Sequence, residues 1–184
     1  MVKTYNRLYT KLCSSENIYY AYINSRKGKS KKNSVIEFDN NLYENLWELK
    51  QELINKTYKP NSLKRFVVRD PKTRVIHASA FKDRVVHHAV ISILKHIYEK
   101  IFIYDSYASR KSKGTHSALK RFDLFKRKVS RNGKLIRLGG RGDSNSIQGY
   151  ALKCDIQHYF DNVSHDVLLS ILRKKIRDED FINL

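Results

Sequence analysis

Asp155 is the residue in this sequence whose position most clearly suggests chemistry. It follows residues 150–154, YALKC, which predict a short β-strand, and it precedes an aromatic pair, Tyr159 and Phe160, and a helix start at Ser164. A carboxylate at the end of a buried strand loses hydration, so it needs an Arg, a Lys or a metal ion beside it. The alternative is that Asp155 simply caps the turn after the strand. These residues alone leave both interpretations open.

Two cations, Lys72 and Arg74, lie at the tip of a second predicted element. Residues 66–78, FVVRDPKTRVIHA, predict a β-hairpin that turns between Asp70 and Thr73. An ammonium and a planar guanidinium on one turn can hold a single polyanionic target, and a triphosphate suits both groups. An ordinary charged turn is the alternative.

A third basic segment covers residues 105–122, DSYASRKSKGTHSALKRF. Its cations Arg110, Lys111 and Lys113 stand next to Gly114 and the predicted N-terminus of a helix. Such a position favours contact with a phosphate backbone. The GxxxxGK[ST] spacing of a Walker A loop is absent from the segment.

The charge balance indicates a polyanionic partner. The 184 residues include 37 Lys and Arg against 18 Asp and Glu, which gives a formal charge of +19. Solubility alone does not require so large a charge. The basic residues are spread along the chain among 12 Tyr and 8 Phe rather than concentrated on one amphipathic helix. Nucleic acid is therefore favoured over a membrane surface.

Cysteine usage and hydropathy indicate in which cellular environment the protein is expected. Cys13 and Cys154 form no CxxC pair and no ligand set with histidine, which argues against structural zinc and against a disulfide framework. The sequence has no apolar run long enough for a membrane span and no apolar signal-peptide core. We therefore expect a cytoplasmic protein that has no membrane partner.

The remaining patterns predict the elements that position these residues. Two short helices are expected on either side of Ser14, and Asp83 with Arg84 is interpreted as an intrahelical or loop-bracing pair rather than as part of a catalytic site. The other expected elements are helices at 41–55, 81–102 and 164–176, a basic loop at 26–33 and a glycine-rich excursion at 131–149. This order predicts an α+β fold with an incomplete sheet.

Taken together, three segments resemble the first conserved blocks of reverse transcriptases. They are RDPKTRVIHASAFKDRVVHHA (69–89), FIYDSYASRKSKGTHSAL (102–119) and YALKCDIQHYFDNVSHDVLL (150–169), in the family's order and approximate spacing. The resemblance is closest to the group II intron and diversity-generating retroelement branch. It implies the fingers and first part of the palm of a right-hand polymerase fold without a thumb. The implied divisions are an N-terminal helical extension at 1–60, fingers at 61–149 and the start of the palm at 150–184.

The resemblance also implies roles for the candidate residues. Asp155 is similar to the first palm aspartate, which binds two Mg²⁺ ions, and the backbone carbonyl of Ile156 would complete part of one metal's shell. Phe160 is similar to the aromatic residue that excludes a 2′-hydroxyl on the incoming sugar. Lys72 and Arg74 would bind the dNTP, while Arg110, Lys111 and Lys113 would face template RNA or the RNA–DNA hybrid.

One departure from the family limits the expected activity. The second palm block, aromatic–x–Asp–Asp, is absent from the sequence, and Asp178–Glu179–Asp180 stands at a charged helix end instead. We therefore expect an RNA-directed DNA polymerase by family, working by two-metal nucleotidyl transfer, whose chain is inactive without the rest of the palm and a thumb.

Other interpretations of the same resemblance stay open. The chain could be a non-catalytic basic RNA-binding module derived from a reverse transcriptase, or part of a retron or abortive-infection type polymerase. An accessory protein of the retroelement is a further candidate partner.

Overall fold

The computed structural model describes residues 3–130, 132, 136–137, 143–144 and 150–184. The chain divides into two compact units. Met1–Ile97 and Ser164–Leu184 form the first unit, and Tyr98–Val163 form the second. This division differs from the three segments expected from the sequence, because residues near the end of the chain fold together with the N-terminal helices.

The first unit begins with four helices, and a local polar residue sets the start of the second. Ser14 accepts a hydrogen bond of 3.2 Å from the backbone N–H of Asn17, so the predicted helix break at this position is confirmed. The basic segment after the second helix is a turn, also as predicted, but a third helix follows that the sequence patterns did not indicate. The four helices are α1 Leu8–Leu12, α2 Ser15–Arg26, α3 Asn33–Asn40 and α4 Leu42–Ile54.

An apolar core joins these helices to α5, Phe81–Tyr98. The leucines of α4 recur at helical spacing, and Leu49 and Leu53 are fully buried. The rings of Phe38 and Phe81 pack edge to face, with centroids 5.1 Å apart. Helix α5 ends at Tyr98, four residues before the predicted end, because residues 99–102 turn into the second unit.

The predicted hairpin is confirmed. Strands β1, Lys64–Val68, and β2, Arg74–Ala78, pair antiparallel with Phe66 opposite Ile76 and Val68 opposite Arg74. The turn therefore covers residues 69–73. Phe66, Val67 and Val75 remain close to half exposed, so the hairpin projects from the unit rather than packing inside it.

Residues near the end of the chain close the first unit. The Tyr5 N–H donates to the Lys175 carbonyl and the Arg177 N–H donates to the Tyr5 carbonyl, both at 2.8 Å. Tyr5 and Ile176 thus form a parallel β-bridge, and Ile176 is fully buried. The bridge lies between α7, His165–Arg173, and α8, Glu179–Ile182. Asp178 caps α8 by accepting a hydrogen bond of 3.2 Å from the Phe181 N–H.

The second unit contains α6, Thr115–Val129, and a short antiparallel pair of β3, Ile136–Arg137, with β4, Asp143–Ser144. The rest of the predicted excursion at 131–149, apart from residue 132, lies outside the described residues. Helix α6 buries none of its side chains, and Phe122 and Phe125 are about half exposed.

The strand predicted at residues 150–154 is wrong. This segment is irregular, and Tyr150 and Leu152 are almost completely exposed. A β-strand requires a neighbour that accepts and donates its backbone hydrogen bonds. No other described residue supplies one here, and the apolar side chains that predicted a buried strand face solvent instead.

No helix in the described ranges is long and apolar enough to span a bilayer.

Candidate nucleic-acid interface

Asp155 is exposed on the irregular segment, immediately before a turn. The carboxylate has no hydrogen-bond or ion-pair partner among the described residues. The turn is held without it, because the Asn162 N–H donates to the His158 carbonyl at 3.0 Å and Asn162 Nδ2 donates to the Gln157 carbonyl at 3.2 Å. Asp155 therefore does not cap this turn, and its oxygens are free to bind a ligand.

The aromatic pair lies on the same turn. The rings of Tyr159 and Phe160 meet edge to face with centroids 5.2 Å apart. Phe160 is 88% exposed, which is unusual for a phenyl ring of a folded protein and leaves one face of it open to a ligand.

The donors near Asp155 match part of a magnesium site. The Asp155 carboxylate and the Ile156 carbonyl are hard oxygen ligands of the kind that Mg²⁺ prefers. The neighbouring carboxylate, Asp161, is paired with His158, whose Nδ1 lies 3.5 Å from Asp161 Oδ2. The described residues contain no group of three or more His, Cys, Asp or Glu that could hold a metal ion. Asp155 thus offers one metal ligand, and the described residues do not complete the site around it.

Lys72 and Arg74 are both exposed at the end of the hairpin. Neither has an ion-pair partner within the described part of the chain. The two cations belong to the first unit, whereas Asp155 and Phe160 belong to the second. Within its own unit, the hairpin presents two unpaired cations, Lys72 in the turn and Arg74 at the start of β2, and cations of both kinds bind phosphate oxygens.

Arg110 has an internal role that the sequence did not indicate. Its side chain is 9% exposed, and its Nε forms an ion pair of 2.8 Å with Glu99. The guanidinium also donates to the carbonyls of Ile103 at 3.0 Å, Ser106 at 3.2 Å and Glu99 at 3.3 Å. These bonds fold the loop between α5 and α6 around Arg110, which leaves Lys111 as the exposed cation of this triplet.

Aromatic and basic side chains contact one another on the surface of this loop and of α6. Lys113 Nζ lies 4.0 Å from the ring centroid of Tyr104 and donates to the Tyr104 carbonyl. The Arg121 guanidinium lies 5.1 Å from the Tyr104 ring and 4.6 Å from the Phe125 ring. We call this group the aromatic–basic cluster; its members are Phe102, Tyr104, Tyr107, Arg110, Lys113, Arg121 and Phe125.

One carboxylate fixes the geometry of the cluster. Arg121 Nε donates to Asp105 at 2.8 Å, and the Tyr107 hydroxyl donates to the same oxygen at 3.0 Å. The hydrogen bond from Arg121, with help from Tyr107, holds the pKa of Asp105 below its usual value. Loss of hydration and the bond to Asp105 raise the pKa of Tyr107. Together with Asp105, the cluster has more basic than acidic side chains, so its formal charge is positive.

The cluster is suited to single-stranded nucleic acid. Phe102 and Tyr104 are 51% and 68% exposed, so each ring can contact a base. Lys113 lies against Tyr104 and Lys111 is exposed on the same loop, so both can contact phosphates. Sequence reasoning found these two lysines but missed Tyr104 and Arg121; the aromatic residues at 102, 104 and 107, and Arg121 four residues before Phe125 in the predicted helix, were the signal that could have found them.

Comparison with curated proteins relates the chain to intron-encoded proteins. It is 29% identical over 182 residues to the group II intron-encoded protein LtrA of Lactococcus lactis subsp. cremoris, a match that covers 96% of this chain and 27% of LtrA. This chain is related to group II intron-encoded proteins. It spans about a quarter of the length of LtrA.

Two further relatives match shorter parts of the chain. Protein YkfC of Escherichia coli (strain K12) is 28% identical over 138 residues, covering 74% of this chain and 32% of YkfC. An uncharacterized 91 kDa protein in the cob intron of Schizosaccharomyces pombe is 32% identical over 104 residues, covering 56% of this chain and 10% of that protein.

A comparison with family models gives a different result, because the model of the sulfotransferase family matches residues 3–153. The described strands in that range form antiparallel pairs, and none leads through a glycine-rich loop into a helix, an arrangement that commonly binds phosphate or sulfate. The structure therefore gives no explanation of this match. LtrA is a group II intron-encoded protein, and the three segments resemble the group II intron branch, so we assign the relationship from the curated relatives.

Proposed function

We propose that this chain is the fingers and first part of the palm of an RNA-directed DNA polymerase that copies template RNA into cDNA. The observation that carries the proposal is the relationship to LtrA over 96% of the chain. A match of that extent includes all three segments that resemble reverse-transcriptase blocks. The α+β content with a projecting hairpin agrees with this assignment.

Template RNA is the proposed partner of the basic surfaces. The net charge of +19 favours a polyanion, and the aromatic–basic cluster adds exposed rings that suit unpaired bases. Lys111 and Lys113 would contact the RNA backbone or the RNA–DNA hybrid. Arg110 would contribute indirectly, because its bonds to Glu99 and to the loop carbonyls hold the loop that carries these lysines.

The candidate residues of the site would have different roles in nucleotidyl transfer. Asp155 and the Ile156 carbonyl would hold Mg²⁺, which when bound supplies electrostatic stabilisation of the reacting phosphate. Lys72 and Arg74 would neutralise the triphosphate of the dNTP and orient it. The open face of Phe160 would limit the space beside the sugar and so exclude a 2′-hydroxyl.

The test is Asp155→Asn in the polymerase that contains this chain. The substitution keeps the shape of the side chain and removes its charge, so Mg²⁺-dependent primer extension should be lost while RNA binding stays within a few fold. Asp161→Asn is the matched control, because Asp161 lies on the same turn and pairs with His158; it should keep extension. Retained extension by Asp155→Asn would contradict the metal-binding role.

A non-catalytic RNA-binding module is the second candidate. The observation that favours it is that the described residues place no group of three or more metal-binding side chains around Asp155. This candidate predicts RNA binding by the unaltered protein without primer extension, and no effect of Asp155→Asn on that binding.

A further inference from the structure

The first turn of α5 binds both ends of the hairpin. Asp83 accepts hydrogen bonds from the backbone N–H and the side-chain amide of Asn61, each at 3.1 Å, three residues before β1 begins. Arg84 Nε donates to the Ser79 carbonyl at 3.1 Å, one residue after β2 ends. Two neighbouring residues of one helix therefore hold the segment that enters the hairpin and the segment that leaves it.

This turn is itself fixed to the helices of the first unit. Phe81 is buried, and Lys82 Nζ lies 2.6 Å from a carboxylate oxygen of Glu52 in α4. The buried hydroxyl of Ser25 in α2 donates to the Arg84 carbonyl at 3.2 Å. The base of the hairpin thus belongs to the packed part of the unit.

The rest of the hairpin is open to solvent on both faces. Phe66 on one face and Val67 and Val75 on the other are close to half exposed. At about 3.3 Å per residue, strands of five residues place the turn about 15 Å from the base. A tilt of about 15° at the base would therefore move the turn by about 4 Å, which exceeds the length of a hydrogen bond, about 3 Å.

We propose that Asp83 and Arg84 are positioning residues for nucleotide binding: they hold the two ends of the hairpin and so fix the direction in which Lys72 and Arg74 meet the triphosphate. The inference rests on the proposed dNTP-binding role of these two cations. Loss of either bond lets the hairpin tilt while its own strand pairing stays intact. Bound triphosphate selects the correct direction, so the cost of tilting is a weaker affinity for dNTP that saturation overcomes.

The first experiment measures primer extension at varied dNTP concentration in the polymerase that contains this chain. Arg84→Met keeps an unbranched side chain and removes the bond to Ser79. Asn61→Ala removes one donor to Asp83 and leaves the buried carboxylate two others. Each variant should raise the KM for dNTP about fivefold and keep kcat within about twofold, as expected when the competent direction falls to about one fifth of the population.

Two further variants test the cause of that change. Arg84→Lys can still donate a hydrogen bond, so it should restore part of the dNTP affinity. Lys95→Met removes an exposed cation elsewhere on α5 and is the matched control, which should keep both constants. A merely destabilised enzyme would lose kcat through a smaller active fraction at an unchanged KM.

A double-mutant cycle shows whether Arg84 acts through the cations of the hairpin. In a polymerase with Lys72→Ala and Arg74→Ala, Arg84→Met should have no further effect on the KM for dNTP, because the groups that it directs are gone. An equal rise in both backgrounds would contradict the proposal. If Lys72→Ala with Arg74→Ala leaves the KM unchanged, the proposed dNTP-binding role fails instead.

The second experiment measures the hairpin without polymerase activity. A fluorophore is attached to the 184-residue chain at Thr73→Cys, in the exposed turn, with Cys154→Ser to remove the exposed thiol; Cys13 is buried. Time-resolved anisotropy reports nanosecond motion of the turn. Arg84→Met and Asn61→Ala should each lower the anisotropy that remains after fast local motion, and Lys95→Met should not.

A turn that is as rigid in both variants as in the unaltered chain would overturn the proposal, whatever the polymerase result. Circular dichroism melting shows whether each variant is folded. If Asn61→Ala unfolds the chain, Arg84→Met and Arg84→Lys still decide the outcome, because they leave the donors of Asp83 in place.

Discussion

The Tyr58 hydroxyl donates a hydrogen bond of 2.8 Å to Asp83, whose carboxylate is almost completely buried at the start of α5. Asn61 donates two more bonds of 3.1 Å, one from its backbone N–H and one from its side-chain amide. Three donors thus satisfy a charge that would otherwise be costly to bury. Because residues 58–61 lead into β1, these bonds also anchor the hairpin that carries Lys72 and Arg74.

Asp83→Ala should therefore destabilise the first unit strongly. Its removal leaves buried donors without an acceptor, and we expect the free energy of unfolding to fall by about 3 kcal/mol. Tyr58→Phe removes one bond and should cost about 1 kcal/mol. Urea unfolding monitored by circular dichroism measures both. Asp166→Ala, at an exposed position of α7, is the control and should change stability little; an equal loss there would refute the bracing role.

Two tyrosines should make the protein lose stability at alkaline pH. Burial is the main cause that raises the pKa of Tyr9 to about 12 and the pKa of Tyr22 to about 12; Tyr22 also donates to Asp39. In the unfolded chain tyrosine titrates near pH ~10, so the unfolded state gives up these protons first. Their contribution is complete below about pH 10 and is lost as the pH rises through about 12.

The measurement for these tyrosines is the free energy of unfolding as a function of pH. Tyr22→Phe should flatten the decline above about pH 10, since it removes one of the groups that titrate differently in the two states. Tyr43→Phe is the matched control, because Tyr43 is 85% exposed. A decline that neither Tyr22→Phe nor Tyr9→Phe changes would show that other groups cause it.

Substitutions of Arg110 and Lys111 should have different effects: the first should change the structure of the loop, and the second should change RNA binding. Lys111→Ala should keep the stability of the chain, weaken the binding of single-stranded RNA and lower the dependence of log K on log salt by about 0.7. Arg110→Ala should instead open the loop, because Glu99 and the bonded carbonyls lose their partner. Limited proteolysis between residues 99 and 113 detects that opening. Faster cleavage in Lys111→Ala than in Arg110→Ala would reverse these assignments.

Phe160→Ala should relax sugar selection in the polymerase that contains this chain. The exposed ring is the proposed obstacle to a 2′-hydroxyl, so its removal should raise the ratio of rNTP to dNTP incorporation in primer extension. Tyr159→Ala removes the neighbouring ring, which packs against Phe160, and serves as the comparison. An rNTP/dNTP ratio that stays the same in Phe160→Ala would refute the assignment.

The elements that sequence patterns predicted correctly are those with local causes. The Ser14 cap, the leucine spacing that buries Leu49 and Leu53, and the hairpin turn each depend on residues a few positions apart. The strand at 150–154 was wrong because a strand needs a distant neighbour, which residue composition does not reveal.

The candidate site shows the same limit. The cations on the hairpin and beside Gly114 could be found from turn and helix-start chemistry. The ion pair that makes Arg110 internal joins residues 11 positions apart, and the contact between Tyr104 and Arg121 depends on how the loop folds back onto α6. Which cations are free for a ligand therefore became known only with the fold.

The bridge between Tyr5 and Ile176 sets the order in which the chain can mature during translation. The ribosome releases the N-terminal helices first, yet Ile176, the bridge partner of Tyr5, and the Asp178 carboxylate that accepts from the Tyr9 N–H leave the exit tunnel only after residues 98–163. Residues 98–163 emerge before them and, as a separate compact unit, can fold independently of them. Of these two units, the one whose synthesis starts first is therefore completed second.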